Sequence, residues 1–378
     1  MDTSFAGNTY DHWYKIMKTK NVFFGFSLWK RRFIKPFFFT SKENHFLFSS
    51  TIRQAIRKNL DSYSKIYIWG KKPFPEVETY AKEQDIPLLR VEDGFVRSVS
   101  LGSDLTKAYS LVVDSRGIYF DPTQESDLEY LLNTYEFDDE ILQRAQKLQA
   151  YLIKNKISKY NSHQDKKLTL SGLKEGQTVV MVPGQVEDDA SIIYGAEGMT
   201  NLELLQETRI HAPESYIIYK PHPDVLSGNR KGNILTHDAI QYCDTIITDA
   251  SLDSVLEVCD EVHTMTSLVG FEALIRGKKV FTYGMPFYAG WGLTVDARKC
   301  QRRTAKHSLD ELVAAAFILY PRYIHPKTNA LCEIEVLLRE IDKEKTRYNT
   351  YRLYRFYINS RNMVSRKIQL LIKVILSE

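Results

Sequence analysis

Short apolar runs that stop at glycine or proline alternate with segments of helical period, and this pattern occurs twice along the chain. In the first half "KIYIWG" ends at Gly70, "PEVETYAKEQ" has helical character, and "PLLRVEDG" ends at Gly94. In the second half "TVVMVPG", "SYIIYK", "DTIIT", "VHTMTS" and "VFTYG" are strand-like, separated by the helical "NLELLQETRI" and "LVGFEALIRGKK". Strands alternating with helices form mostly parallel sheets, whose functional loops lie at the strand carboxyl ends. The pattern predicts an α/β chain with two Rossmann-like domains facing a central cleft.

A chain of 378 residues with 43% hydrophobic content can bury two cores. The polar stretch "KISKYNSHQDKKLTLSGLKEGQ" sets the expected boundary near residue 170. The expected organisation is therefore 1–170, 171–340 and C-terminal helices over 341–378. Within the first part "YSLVVDSRGIYFDP" reads as a hairpin turning at "DSRG", and "SDLEYLLNTY" as a helix capped by Ser126. A net charge of +4 is too mild to argue for a nucleic-acid partner. Cys243, Cys259, Cys300 and Cys332 form no CxxC pair and read as reduced thiols of a cytoplasmic protein. The N-terminal stretch has no signal-peptide pattern, and the apolar "LVAAAFILY" is too short to span a bilayer.

Two basic, apolar segments stand outside this rhythm. Residues 17–39, "MKTKNVFFGFSLWKRRFIKPFFF", suit either a leading segment with its aromatics packed inward or a surface meeting anionic lipid. From Ile341 the chain carries nine basic and three acidic residues, with Leu353, Phe356, Tyr357, Ile368, Leu371, Ile372 and Ile375 at helical spacing. An apolar stripe amid cations fits attachment to an anionic membrane surface, and packing across the domains accounts for the stripe alone.

Three strand-end loops carry groups that can do chemistry. In "YKPHPD", Lys220 and His222 are stiffened by two prolines and can both donate to a phosphate. In "MTSLVGFEAL", Thr266 and Ser267 precede a helix, where hydroxyls and free N–H groups can meet an anion. "VEDG" sets Glu92 and Asp93 beside a glycine and, taken alone, reads more readily as a turn than as an acid/base pair. A fourth loop, "VPGQVEDDAS", ends a strand with Glu187, Asp188 and Asp189 in a row, three like charges that cannot be buried cheaply. "PFYAGWG" offers Phe287, Tyr288 and Trp291 for stacking on a sugar or base, or for a hydrophobic turn. The chain lacks a DxD after a strand, HExxH and GxxxxGK[ST], so metal and ATP chemistry lose ground.

The acidic-acidic-glycine, His-Pro and Ser/Thr motifs in this order resemble bacterial GT-B sialyltransferases and relatives that use CMP-activated 2-keto sugar acids. More specifically, "RVEDGFVRS", "SLVVDSRGIYFD", "VPGQVEDDAS", "YKPHPDV", "EVHTMTSLVGFEALIRGKKV" and "YGMPFYAGWGLT" resemble the KpsC family of capsule polysaccharide β-Kdo transferases. The similarity runs from Ile66 to Leu338 and is nearest to the second of that family's two tandem modules; this chain has room for one.

The resemblance implies a retaining β-Kdo transferase that takes Kdo from CMP-Kdo and passes it to a lipid-linked oligo-Kdo or other glycan acceptor. It implies that Asp189 takes the sugar covalently, because retention needs two inversions. Glu92, with Asp93 second, becomes the candidate that activates the acceptor hydroxyl. Lys220, His222, Thr266 and Ser267 would hold the nucleotide phosphate without a metal or other cofactor, joined in donor binding by Gln185, Glu272 and Arg97. The expected location is cytoplasmic, peripheral at the inner membrane. Two alternatives stay open: an inverting, sialyltransferase-like enzyme that needs no Asp189 nucleophile, and a non-catalytic subunit of capsule assembly or export.

Overall fold

The computed structural model describes residues 20–38, 45–96, 107–158, 168–228, 230–358, 360, 361 and 363. Its strands are β1 (Lys20–Phe24), β2 (His45–Ser49), β3 (Ser64–Trp69), β4 (Leu88–Asp93), β5 (Ser110–Asp114), β6 (Val179–Pro183) and β7 (Tyr216–Lys220). These are followed by β8 (Thr245–Ile246), β9 (Glu261–Thr264), β10 (Lys279–Thr282), β11 (Val295–Asp296), β12 (Pro321–Ile324) and β13 (Leu331–Cys332). They form a seven-stranded sheet, β13-β12-β5-β4-β3-β1-β2, and a six-stranded sheet, β11-β10-β9-β6-β7-β8. The fold is mixed α/β, as the strand–helix alternation requires.

Packing divides the chain into two compact units, one running to Ile118 and resuming at Ala316, the other spanning Tyr119–Ala315. The polar stretch near residue 170 thus lies inside the second unit. The helices Asp127–Thr134 and Asp139–Lys154 are tied there by polar contacts to later chain. Glu129 pairs with Arg302 at 2.6 Å and Arg303 at 3.2 Å, and Gln149 donates to Asp310 at 2.5 Å. The expected boundary at 340 falls within the helix Ile334–Thr350. No described helix is long and apolar enough to cross a membrane.

In the first unit β2, β1, β3 and β4 are parallel, and β5, β12 and β13 continue the sheet antiparallel. Alternate residues serve opposite faces. Val22, Phe24, Ile66 and Ile68 join Val77 and Ala81 of the helix Pro75–Glu83 on one face. Phe23, Tyr67, Trp69, Leu89 and Val91 build an aromatic core on the other, covered by Phe33, Ile34, Phe37 and Phe38. The segment "KNVFF" is therefore an inner strand. Both of its faces are apolar, so it shows no alternation in sequence.

The hairpin expected at "DSRG" does not form. Asp114 Oδ1 accepts from the N–H groups of Arg116 (3.0 Å) and Gly117 (2.8 Å), which turns the chain away. The strand partners of β5 are β4 and the distant β12. Tyr320 locks this arrangement by donating to Asp114 Oδ2 at 2.7 Å, with Asp114 fully buried.

In the second unit every strand pairing is parallel. The chain lays down β6, β7 and β8 outward, returns to the other side of β6 for β9, and proceeds to β10 and β11. This is the doubly wound order 3-2-1-4-5-6, whose direction reverses between its first and fourth strands. All five residues of β6 are buried, as a strand covered on both faces demands.

Candidate functional site

The reversal in the second sheet falls between β6 and β9, and at such a point two neighbouring loops part to leave a ligand crevice. Gln185, just beyond β6, spans it. Its side-chain Nε2 donates to Thr266 Oγ1 at 3.1 Å, and its Oε1 accepts from Thr266 N at 3.0 Å and Thr264 Oγ1 at 3.3 Å. The loop backbones approach closely here. A Cβ on Gly284 would lie 2.6 Å from the Gly195 carbonyl, and one on Gly195 would lie 2.8 Å from Thr266 Cγ2.

The three successive carboxylates diverge, which relieves their mutual repulsion. Glu187 Oε1 accepts from Asn201 N at 2.8 Å, at the start of the helix Asn201–His211. Asp188 pairs with Arg230 at 3.1 Å. Asp189 is exposed and caps the helix Ala190–Gly195, accepting from Ser191 N (3.0 Å) and Ser191 Oγ (2.8 Å). Both of those bonds fall on Oδ1.

Lys220 ends β7, and its Nζ donates to the Ala250 carbonyl at 2.7 Å. Burial pulls its ammonium below the ordinary lysine range, and Asp249 opposes the shift. His222 Nδ1 accepts from Asp224 N at 3.1 Å. In the neutral ring the proton therefore sits on Nε2, the ring's donor nitrogen. Gly184 lets this loop lie against the β6 loop: its N–H donates to Lys220 O at 2.8 Å, and a Cβ there would meet Pro221 Cα at 3.1 Å and His222 N at 3.2 Å.

Ser267 caps the helix Leu268–Ile275, its Oγ accepting from Val269 N at 3.2 Å. Glu272 is buried in that helix, where Arg276 donates to its carbonyl at 2.9 Å. Gln185 and Thr266 are thus in direct contact, Lys220 and His222 occupy the adjoining strand-end loop, and Asp189 lies beyond Gln185 on the β6 loop.

Glu92 and Asp93 belong to the first unit, at the carboxyl end of β4. Glu92 Oε1 accepts from Asp93 N at 3.0 Å. Gly94 is required by contact rather than by φ, since a Cβ would come within 2.8 Å of Ser110 Cβ. Arg97 lies outside the described residues.

The aromatic-glycine loop is not a stacking surface. Phe287, Tyr288 and Trp291 are buried. Trp291 Nε1 donates to Phe287 O at 2.9 Å, and Tyr288 donates its hydroxyl to Ser267 O at 2.5 Å. The buried Arg303, paired with Glu129, donates to the carbonyls of Pro286 (2.5 Å) and Ala289 (2.7 Å). The loop is hydrophobic because it supports the helix carrying Ser267 from behind.

Asn201 is a site residue that sequence reasoning passed over. It is buried, its Oδ1 accepts from Gln185 N at 2.8 Å, and its Nδ2 donates to the carbonyls of Gln185 (2.8 Å) and Gly232 (2.9 Å). The capping box formed by Thr200 and Glu203 marks a helix start at this position, but nothing in that signal tells which way the asparagine turns.

A doubly wound sheet with Gln185, Lys220, His222 and Thr266 on the loops at its switch point has the arrangement in which open α/β sheets hold ligands at their strand carboxyl ends. Comparison with known proteins narrows the class. The model of the family described as "Capsule polysaccharide biosynthesis protein" matches residues 64–323, and the chain belongs to that family. It is 46% identical over 333 residues to the capsule polysaccharide modification protein LipA of Neisseria meningitidis serogroup A, covering 87% of this chain and 47% of LipA. It is 40% identical over 339 residues to the lipopolysaccharide-processing protein LpsZ of Rhizobium meliloti, covering 86% of this chain and 74% of LpsZ. The chain spans about half the length of the meningococcal relatives it matches.

Among solved structures it is similar to the β-Kdo 2,7 transferase of Thermosulfurimonas dismutans KpsC, with a TM-score of 0.71, 37% identity and coverage of 86% and 99% of the two chains. It is also similar to the β-Kdo 2,4 transferase of that protein, with a TM-score of 0.70, 32% identity and coverage of 85% and 97%.

Proposed function

We propose that the chain is a retaining, GT-B-like β-Kdo transferase that moves Kdo from CMP-Kdo to a lipid-linked capsule or related glycan through a covalent adduct on Asp189. The observation that carries the reading is the fate of the acidic run. Glu187 and Asp188 are each engaged by a neighbour, whereas Asp189 is exposed and its helix-capping bonds use Oδ1 alone. Oδ2 is then the atom that attacks the anomeric carbon as the bond to the CMP phosphate breaks. The likeness to two Kdo transferases at 37% and 32% identity supports the choice of sugar.

Charge builds on the departing phosphate as that bond lengthens, and donors held in place beforehand are worth most there. Lys220, the Nε2–H of His222 and the N-terminal N–H groups of the helix behind Ser267 supply them, with no metal required. Thr266, Gln185 and Glu272 complete the donor-binding set. In the second step Glu92 takes the proton of the acceptor hydroxyl, with Asp93 the second candidate. That hydroxyl then displaces Asp189, and the second inversion restores the configuration.

The test is mass spectrometry of the protein incubated with CMP-Kdo, using Glu92→Gln to slow the second step. The expected result is a mass increase of one Kdo on the peptide containing Asp189, absent in Asp189→Asn. Transfer at near wild-type rate by Asp189→Asn would overturn the nucleophile and favour an inverting route. Activity lost in EDTA and restored by a divalent ion would overturn the metal-free step.

A further inference from the structure

We infer that Arg230 receives the carboxylate of the donor's 2-keto sugar acid, beside the aspartate that attacks the sugar. The inference rests on the donor reading proposed above and adds to it the group that recognises the acid.

The stretch from Arg230 to Gly232 lies between the short helices Pro223–Leu226 and Thr236–Ala239, and uncharged contacts lay it along the acidic run. The N–H of Glu187 donates to the Lys231 carbonyl at 3.2 Å. Asn201 Nδ2 donates to the Gly232 carbonyl at 2.9 Å and to the Gln185 carbonyl at 2.8 Å, bridging the two loops. Gly232 has a φ of +123°, and a Cβ there would lie 2.6 Å from Gln185 O and 3.4 Å from Glu187 Cγ. Glycine alone permits that approach in that conformation.

Arg230 is held differently. Its Nε and Nη2 both donate to one oxygen, Asp188 Oδ1, at 3.2 and 3.1 Å. Both side chains are exposed, and such an ion pair contributes little, so the uncharged contacts and not the charges fix the loop. A guanidinium has five N–H donors. Among the described residues only Asp188 takes any from Arg230, and it takes two. The other three are open to a ligand standing beside Asp188.

The neighbour of Asp188 is Asp189, the proposed nucleophile. A 2-keto sugar acid carries its carboxylate on the anomeric carbon itself, so the attack of Asp189 on that carbon brings two anions together, with Asp188 as a third. Like charges that close repel strongly where water is displaced. A cation placed among them removes the obstacle. Arg230 is already anchored on one of the three, and consecutive Cα atoms are ~3.8 Å apart. Its planar fork therefore comes within side-chain reach of a carboxylate on the carbon that Asp189 attacks, and it matches that group's shape. Relief of repulsion within the acidic run is the competing account of the pair. It explains the contact to Asp188, but not a loop pinned by Asn201 and Gly232, since a cation on an unpinned loop would relieve the charge as well. The proposed phosphate donors, Lys220, His222 and the helix behind Ser267, are committed to the leaving group.

The experiment compares the full chain with Arg230→Gln, Arg230→Lys and Arg230→Ala in CMP affinity by calorimetry, in the rate of adduct formation on Asp189 from CMP-Kdo by mass spectrometry, and in steady-state transfer. CMP has no carboxylate, so its affinity should change by less than about twofold. Adduct formation and transfer should fall about 10²-fold in Arg230→Gln, by an estimate for one charge-assisted pair. They should fall about tenfold in Arg230→Lys, which restores the charge without the fork. Guanidinium chloride far below denaturing concentration should restore part of the rate in Arg230→Ala, which loss of a merely structural tie would not allow. Lys231→Gln, at the neighbouring exposed cation, should stay within about twofold of the parent.

Parental rates in Arg230→Gln would overturn the assignment and leave the transferase reading standing. A CMP affinity that falls as far as the adduct rate would place Arg230 on the phosphate and overturn it as well. So would an equal loss in Lys231→Gln, which would reveal a diffuse field, or a loss relieved by neither lysine nor guanidinium and accompanied by a lower melting transition. If transfer proceeds without an adduct, the Asp189 nucleophile falls and the transfer rates decide on Arg230 by the same margins. A parent that neither forms an adduct nor transfers from CMP-Kdo refutes the donor reading and this assignment with it.

Discussion

Gln185 and Thr266 close a ring across the switch point of the second sheet, the glutamine amide donating to the threonine hydroxyl at 3.1 Å and accepting from its N–H at 3.0 Å. The ring fixes the spacing of the loops after β6 and β9. Gln185→Leu keeps the bulk and deletes the bonds, leaving the half-buried Thr266 N–H without its partner. A stability loss of about 1–3 kcal/mol is expected, read by chemical denaturation. CMP affinity, read by calorimetry, should fall at least tenfold, by an order-of-magnitude estimate for displaced phosphate donors.

Asp188 and Asp189 are adjacent, yet their variants should behave oppositely. Asp188→Asn breaks an ion pair with Arg230 whose side chains are 46% and 38% exposed, and such a pair contributes no more than about 1 kcal/mol. Transfer by Asp188→Asn should stay within about threefold of the parent by that estimate. Under the proposed mechanism Asp189→Asn should lose transfer entirely while still binding CMP, because there the carboxylate serves bond formation and not nucleotide recognition.

His222 can be dissected by two amides. Asn places its oxygen near the Nδ1 position, so His222→Asn keeps the bond from Asp224 N and deletes the Nε2 donor. Gln places its terminal group near Nε2 and deletes the cap instead. Transfer should fall by about 10²-fold in His222→Asn and be partly retained in His222→Gln. Steady-state rates with saturating CMP-Kdo decide the matter, and activity kept in His222→Asn but lost in His222→Gln would mean the cap is what counts.

Gly270 faces the fully buried Tyr288, and a Cβ there would come within 2.7 Å of Tyr288 Cζ. The ring cannot swing into solvent, so Gly270→Ala forces the helix and the aromatic loop apart. About 2–3 kcal/mol of destabilisation is expected, seen as a lower denaturant midpoint. Because Tyr288 also holds the Ser267 carbonyl, nucleotide affinity should drop with it.

His263 is 1% exposed, stacks on Phe281 at 4.3 Å and contacts Tyr283 through Nδ1 at 3.0 Å. Burial pulls its pKa from 6.5 down to about 4, assisted by His211 and Lys279 and opposed by Glu261. The unfolded chain therefore takes up this proton more readily than the folded one. The stabilising effect is complete above pH 6.5 and is lost as pH falls toward 4, to a limit of ~3 kcal/mol. Denaturation midpoints from pH 8 to about pH 4 should fall less steeply in His263→Gln than in the parent. Parallel profiles would exclude His263 as a source of acid sensitivity.

Strands β6 to β10 of the second unit were legible as short runs between capped helices, as at Thr200 and Ser267, whereas the two-residue β11, Val295–Asp296, was not. β1 was not, since Phe23 and Phe24 are apolar on both faces and resemble a packing segment as much as a strand. β12 was not, since only the tertiary fold brings Pro321–Ile324 beside β5. At the site, the loops holding Gln185, Lys220, His222 and Thr266 were legible from residue type and strand-end position. Asn201 and the burial of Trp291 were not, because side-chain direction is decided by neighbours such as Gly232 and Arg303. The acidic run drew attention by its charge and the family resemblance singled out Asp189 within it, while the different partners of the three side chains are visible only in the structure.

The pairing of β5 with β12 also sets an order of events at the ribosome. The first unit supplies β1 to β5 before the second unit is made, yet its sheet lacks β12 and β13 until residues beyond 320 have emerged. The second unit has its whole sequence by Ala315 and can fold earlier. Throughout that interval β5 presents an unpaired edge with Leu111 and Val112 on it, the kind of edge that recruits foreign strands. Nascent chains stalled just before Pro321 should therefore be the aggregation-prone and chaperone-dependent form of this protein.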